Sequence, residues 1–280
     1  KTTCSAVLAG SVLGLSLYTY LSARMLPIAW AFFIGAELIG GLRAKGWRRT
    51  LSSPTLRLFI VTALTAGVVF GPLAIHFAAD PATFFMRAGS VSILTELGDG
   101  ARVWRALFDN ITAVARMFID LGDQNPRHNL PGRPALDALW AVAFWFGLGA
   151  CIVNWRQAGA RWLMIWLSVT LAPTLLTTEA PHFLRSVGAI PPVMLIAAIG
   201  LWSLLTALRL DRLGRNRVGA VASVAALLIT SVWTAQDYFV RWATDPRLIG
   251  SLGFEVPIGR AAQVVIGRAA TEDIVISAPL

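Results

Sequence analysis

The chain is short of charge. Only 14% of its 280 residues are Asp, Glu, Lys or Arg, while 56% are hydrophobic and eleven are Trp. A soluble domain carries about a quarter of its residues charged, so this composition excludes a single soluble domain and indicates a polytopic membrane protein. Lysine is nearly absent: of 24 basic residues, only Lys1 and Lys45 are not arginine. That bias carries no functional reading. Cysteine is scarce as well, and Cys4 and Cys151 stand too far apart in the chain to imply a disulfide framework. No His, Cys or acid cluster has metal-ligand spacing, so no metal ligand is assigned and no cofactor is expected. An acid-bearing loop upstream would leave a divalent cation open.

What the chain has is apolar length. Runs over 6–20, 27–42, 58–77, 136–154, 162–177, 189–208 and 218–235 approach the roughly 20 apolar residues that a spanning helix needs. Pro27 and the pair Pro191 and Pro192 fall in first turns, where proline is tolerated. Pro72 is expected to kink its helix. The expected fold is an all-α polytopic membrane protein with about seven transmembrane helices over 1–236. The chain opens on Lys inside an apolar run with no cleavage-site pattern, and is read as an internal fragment rather than a signal peptide.

The net charge of +9 acquires meaning from its placement. Arg43, Lys45, Arg48, Arg49 and Arg57 follow the second run, Arg156 and Arg161 the fourth, and Arg209, Arg212, Arg215 and Arg217 the sixth, with Asp211 the one acid among them. These are alternate loops, and the positive-inside rule makes them cytoplasmic. The 78–134 loop then lies outside, with six arginines against six acids. Basicity is thus a topology signal, and nucleic acid is not an expected partner.

Ionisable residues are rare within the runs: Glu37 is read as a residue snorkelling near Arg43, and His76 sits at an outer end. Transporters need charge near the midplane, so this scarcity counts against transport. In the outer loop Val103, Trp104, Leu107, Phe108, Ile111, Val114, Ala115 and Phe118 form a helical stripe. They predict an amphipathic helix lying in the outer interface or capping the bundle. Residues 120–137, dense in Gly, Pro, Asn and Asp, predict an ordered turn-rich connector. Asn110-Ile-Thr matches a glycosylation sequon.

Five stretches in succession carry a resemblance: GLSLYTYLSARMLP from Gly14, DPATFFMRAGSVSI from Asp80, GDQNPRHNLPGRPALD from Gly122, PHFLRSVGAIPP from Pro181 and DYFVRWATDP from Asp237. Together they resemble the membrane part of bacterial GT-C glycosyltransferases, in the protein O-mannosyltransferase and lipid A aminoarabinose transferase group. The resemblance implies transfer of a sugar from a polyprenyl-phosphate donor to an acceptor hydroxyl on protein, lipid or glycan, at the outer face of a bacterial inner membrane. It also implies a catalytic acid in a first outer loop, which would precede Lys1, so no acid in this chain is assigned as the base. Family members often end in a small extracytoplasmic α/β domain, and 237–280 is read as its start, with a strand at 274–277.

In that chemistry the departing lipid phosphate gains negative charge, which calls for preorganised cations. Arg24 and Arg185 fall on the outer side, with His182 three residues before Arg185 and Glu179 and Tyr20 nearby. These five are the candidate phosphate and substrate contacts, Arg24 and Tyr20 having interface anchoring as their alternative. Asp80, Arg87, Arg127 and His128 are candidate sugar or acceptor contacts, each with a solvated-loop alternative. Other classes compatible with the composition are a lipid-linked-sugar flippase or transporter and a non-catalytic membrane subunit of envelope glycan assembly. An O-antigen-ligase-like polymerase is the nearest enzymatic rival.

Overall fold

The computed structural model describes residues 2–82, 92–96, 98, 100–208 and 217–250, with five helical positions between 259 and 267. Among these residues every regular element is a helix. In chain order they are α1 (Thr3–Ser16), α2 (Met25–Lys45), α3 (Trp47–Leu51), α4 (Pro54–Ala79), α5 (Ile93–Glu96), α6 (Gly100–Met117), α7 (Ala138–Val153), α8 (Ala158–Leu175), α9 (Ile190–Ala207), α10 (Arg217–Gln236) and α11 (Pro246–Gly250). Short 3₁₀ turns, Leu21–Arg24 and Leu184–Ala189, lead into α2 and α9, and a π-helical turn, Asp237–Trp242, follows α10.

All seven apolar runs fold as helices. Three stretches of the described residues are long and apolar enough to cross a membrane: Ser22–Lys45, Pro54–Ala79 and Leu184–Ala207. α1 and α7 are apolar but shorter. α1 stops at Ser16, ahead of the Tyr20 end read from hydropathy, because the chain turns there and the Tyr18 hydroxyl donates to the Val69 carbonyl at 2.9 Å. Pro72 lies inside α4, which continues to Ala79. Pro191 and Pro192 open α9 as expected.

Small residues set how closely the helices pack. A Cβ on Gly147 of α7 would sit 1.8 Å from the Ile196 carbonyl oxygen, and one on Gly200 of α9 would sit 1.7 Å from that of Ala143. α7 and α9 therefore touch backbone to backbone, the packing that small residues allow where lipid removes the hydrophobic drive between helices. Gly10 and Gly14 do the same for α1 against α4. The core joins the end of α6 (Val114, Met117), Phe118, and the facing sides of α7, α8 and α9, with Phe144 and Ile196 fully enclosed.

Two local readings change. Glu37 is not a snorkelling residue beside Arg43: it pairs with Arg161, which also donates to the carbonyls of Trp155 and Arg156. The pair ties α2 to the start of α8. The apolar stripe of α6 divides, since Val114 and, just past the helix end, Phe118 enter the core while Trp104, Phe108 and Ile111 stay exposed. The strand expected at 274–277 lies outside the described residues.

Candidate functional site

The connector between α6 and α7 folds on itself through backbone bonds. Gly122 N–H donates to the Gly132 carbonyl at 3.2 Å, and Gly132 N–H returns one to Asp123 at 3.0 Å. Gly132 holds φ at +82°, a region that favours glycine. This hairpin-like closure turns the Asp123 carboxylate inward. Its Oδ1 accepts from Asn125 N–H at 2.8 Å, the short-range turn that Asp and Asn favour. Its Oδ2 accepts from Phe183 N–H at 2.8 Å and lies 2.9 Å from His128 Nδ1. Asp123 thus links two segments 60 residues apart.

The other half of the site is the stretch after α8. Asn110 on α6 donates from Nδ2 to the carbonyls of Leu175 and Thr177, at 2.8 and 2.7 Å. The sequon asparagine is a clamp here, with its amide already engaged. Past the cis Ala180–Pro181 bond, His182 N–H donates to Thr174 Oγ1 at 2.9 Å, and the His182 carbonyl accepts from Ser186 Oγ at 3.0 Å. Its ring then faces that of His128, with centroids 4.4 Å apart and planes at 41°.

The electrostatics of this pairing are lopsided. His182 is 8% exposed. Burial, then the Arg185 and His128 charges, push its pKa from 6.5 to about 4, against the opposing pull of Asp123 and Glu179. His182 is therefore a neutral imidazole near pH 7. Its Nδ1 is buried without a hydrogen-bond partner, and so is Nη1 of Arg185. Leaving a buried polar group unsatisfied costs about 1–3 kcal/mol, so two such atoms on residues three apart call for an explanation.

The 3₁₀ turn that carries Arg185 packs against the one that carries Arg24. The fold thereby brings together the two turns that carry the cations singled out for the outer face. The Arg24 guanidinium lies 4.8 Å over the Phe77 ring at the end of α4. Below this pair an apolar groove of about 1020 Å³ runs between α2 and α8, from Pro27 and Phe32 to Ile39 on one wall and along Met164 and Val169 on the other. A smaller cavity of about 380 Å³ opens between α6 and the connectors, lined by Asp109, Thr112, Arg116, Gln124 and Pro181.

A third support comes from the end of α10 and the turn that follows it. Arg133 donates from Nε to Asp237 Oδ2 at 2.7 Å and from Nη2 to Thr234 Oγ1 at 3.1 Å, and lies 5.5 Å over the Tyr238 ring. Trp242 Nε1 donates to the Pro126 carbonyl at 2.8 Å. Asp137 caps α7 through Trp140 N–H and accepts from Thr230 Oγ1 of α10. The loop bearing Asp123 and His128 is thus fastened to α10 and the turn after it.

The candidates from the sequence separate accordingly. His182, Arg185 and His128 come together, and Arg24 lies on the adjoining turn. Glu179, Tyr20 and Arg127 are exposed, Glu179 close enough to act on His182. Asp80 is exposed at the end of α4. Arg87 lies outside the described residues. Sequence reasoning missed Asp123, whose connector position gave it the look of an ordinary turn residue. It also missed that Asp123, His128 and His182 bring one ligand-capable atom each within 4.8 Å of one another. No family model, no curated protein and no solved structure matches the chain.

Proposed function

We propose that the chain belongs to the membrane part of a GT-C-type glycosyltransferase. It moves a sugar from a polyprenyl-phosphate donor to an acceptor hydroxyl at the outer face of a bacterial inner membrane. In this reading the seven apolar helices span the bilayer and α6 lies at the outer interface, its exposed Trp104 and Phe108 turned to lipid.

The observation that carries the proposal is the buried, unpartnered Nη1 of Arg185 beside a neutral His182, on a turn packed against that of Arg24. Attack by the acceptor oxygen on the anomeric carbon breaks the bond to the phosphate oxygen, and the lipid monophosphate leaves with an added negative charge. A guanidinium meets two phosphate oxygens at once and never deprotonates. Its attraction to the phosphate grows as that charge develops, which lowers the barrier rather than merely tightening binding. The apolar groove starts at Pro27, three residues beyond Arg24, and follows α2 to Ile39. That is roughly 18 Å of helix, room for several prenyl units of the lipid tail. The base that activates the acceptor is not assigned within this chain.

The test is Arg185→Ala in the full-length protein, assayed with a polyprenyl-phosphate sugar. Transfer should be abolished while membrane insertion and the amount of folded protein are unchanged. Transfer at the wild-type rate would remove Arg185 from the reaction and, with it, the main support for this reading.

A further inference from the structure

We propose that Asp123, His128 and His182 form a binding site for a divalent transition-metal ion of the zinc class. The three donors come from two segments, Asp123 and His128 from the connector after α6 and His182 from the connector before α9. One ligand-capable atom from each lies within 4.8 Å of the other two. The side chains are almost closed off from solvent: His128 is 7% exposed, Asp123 5% and the His182 residue 8%.

A plain histidine–carboxylate hydrogen bond accounts for two of these groups and leaves the third unexplained. His128 Nδ1 and Asp123 Oδ2 satisfy each other at 2.9 Å. His182, stacked against His128, points no partner at its Nδ1. A metal ion resolves this, because two imidazoles and one carboxylate are a common donor set for zinc, which leaves a fourth position open. Metal–ligand distances of about 2.0–2.2 Å put tetrahedral donors roughly 3.4 Å apart, so binding requires a contraction of up to about 1.4 Å for the widest pair and an opening of about 0.5 Å between His128 Nδ1 and Asp123 Oδ2. The adjustment is local. Asp123 keeps its Asn125 and Phe183 N–H bonds while Oδ2 exchanges the His128 proton for the ion, and such backbone donors fix a ligating carboxylate in place. With Arg185 close by, the bound ion gives the site an excess of positive charge, and its open position would take water or an anionic oxygen.

This inference is independent of the transferase reading. The experiment takes the full-length protein in detergent, strips it with chelator, and titrates it with Zn²⁺, following bound metal by elemental analysis and thermal stability by melting. One equivalent should be retained per chain and raise the melting midpoint. His182→Ala and His128→Ala should each abolish retention and the zinc-dependent rise in midpoint, and His76→Ala should retain metal normally. Should the variants fail to fold, Co²⁺ in the wild type decides, with an intense four-coordinate visible spectrum expected. Wild-type protein that retains no zinc, retention that survives both histidine substitutions, or Co²⁺ that keeps its octahedral aqua spectrum would each overturn the site. Metal retained by a protein without transferase activity would remove the transferase reading alone.

Discussion

Arg185 presents a planar fork beside His182 where lysine would present a single point charge. If the fork follows charge developing on a departing phosphate, Arg185→Lys should lower kcat by about 100-fold with little change in KM for the donor. Steady-state transfer kinetics check this, and a raised KM at unchanged kcat would confine Arg185 to ground-state binding. At this scale the sequence was legible wherever a residue type was unusual for its place. An arginine and a histidine in a short connector between two apolar helices stand out, and both lie in the cluster. Asp123 did not stand out, because a turn rich in Asp and Asn masks a carboxylate whose partner is 60 residues away. Glu37 was misassigned for the same reason: Arg43 is near in sequence, while Arg161, its actual partner, is 124 residues distant.

Between elements, close approach is set by glycines whose importance depends on which helix lies opposite. Gly147 and Gly149 are both within α7, yet a Cβ on Gly147 meets the Ile196 carbonyl at 1.8 Å and one on Gly149 meets nothing within 4 Å. Gly147→Val should therefore destabilise the α7–α9 pair by about 1–3 kcal/mol or more, whereas Gly149→Ala should be neutral or stabilise by up to about 1 kcal/mol. Thermal melting in detergent separates them, and equal midpoints for the two variants would contradict the packing. Helix identity was readable from apolar length and from the i, i+3, i+4 stripe in α6 because those signals are local. Which glycine is a contact, and where α1 turns at Ser16, depend on tertiary partners that leave no period in the sequence.

For the molecule as a whole, the arginine-rich loops and the cluster should face opposite sides of the membrane. In a protein with Cys4 and Cys151 replaced by Ser, a membrane-impermeant maleimide should label Arg127→Cys in intact cells, and Arg48→Cys only after lysis, both positions being exposed. Labelling of both from the same side would refute the alternating topology. The clasp between Arg133 and Asp237, 104 residues apart, also bears on when the site comes into existence. A chain synthesised from its N-terminus emits Asp123, His128, His182 and Arg185 well before the residues that pin their loop, and domains form as their segments arrive. Until α10 and the turn carrying Asp237 and Trp242 have emerged, that loop lacks its anchors and should be cut readily by added protease in ribosome-arrested chains ending at Gln236. Completion of the pocket thereby waits on α10 and the turn after it, and a chain in which that turn fails to form holds every cluster residue yet has no finished site to misuse.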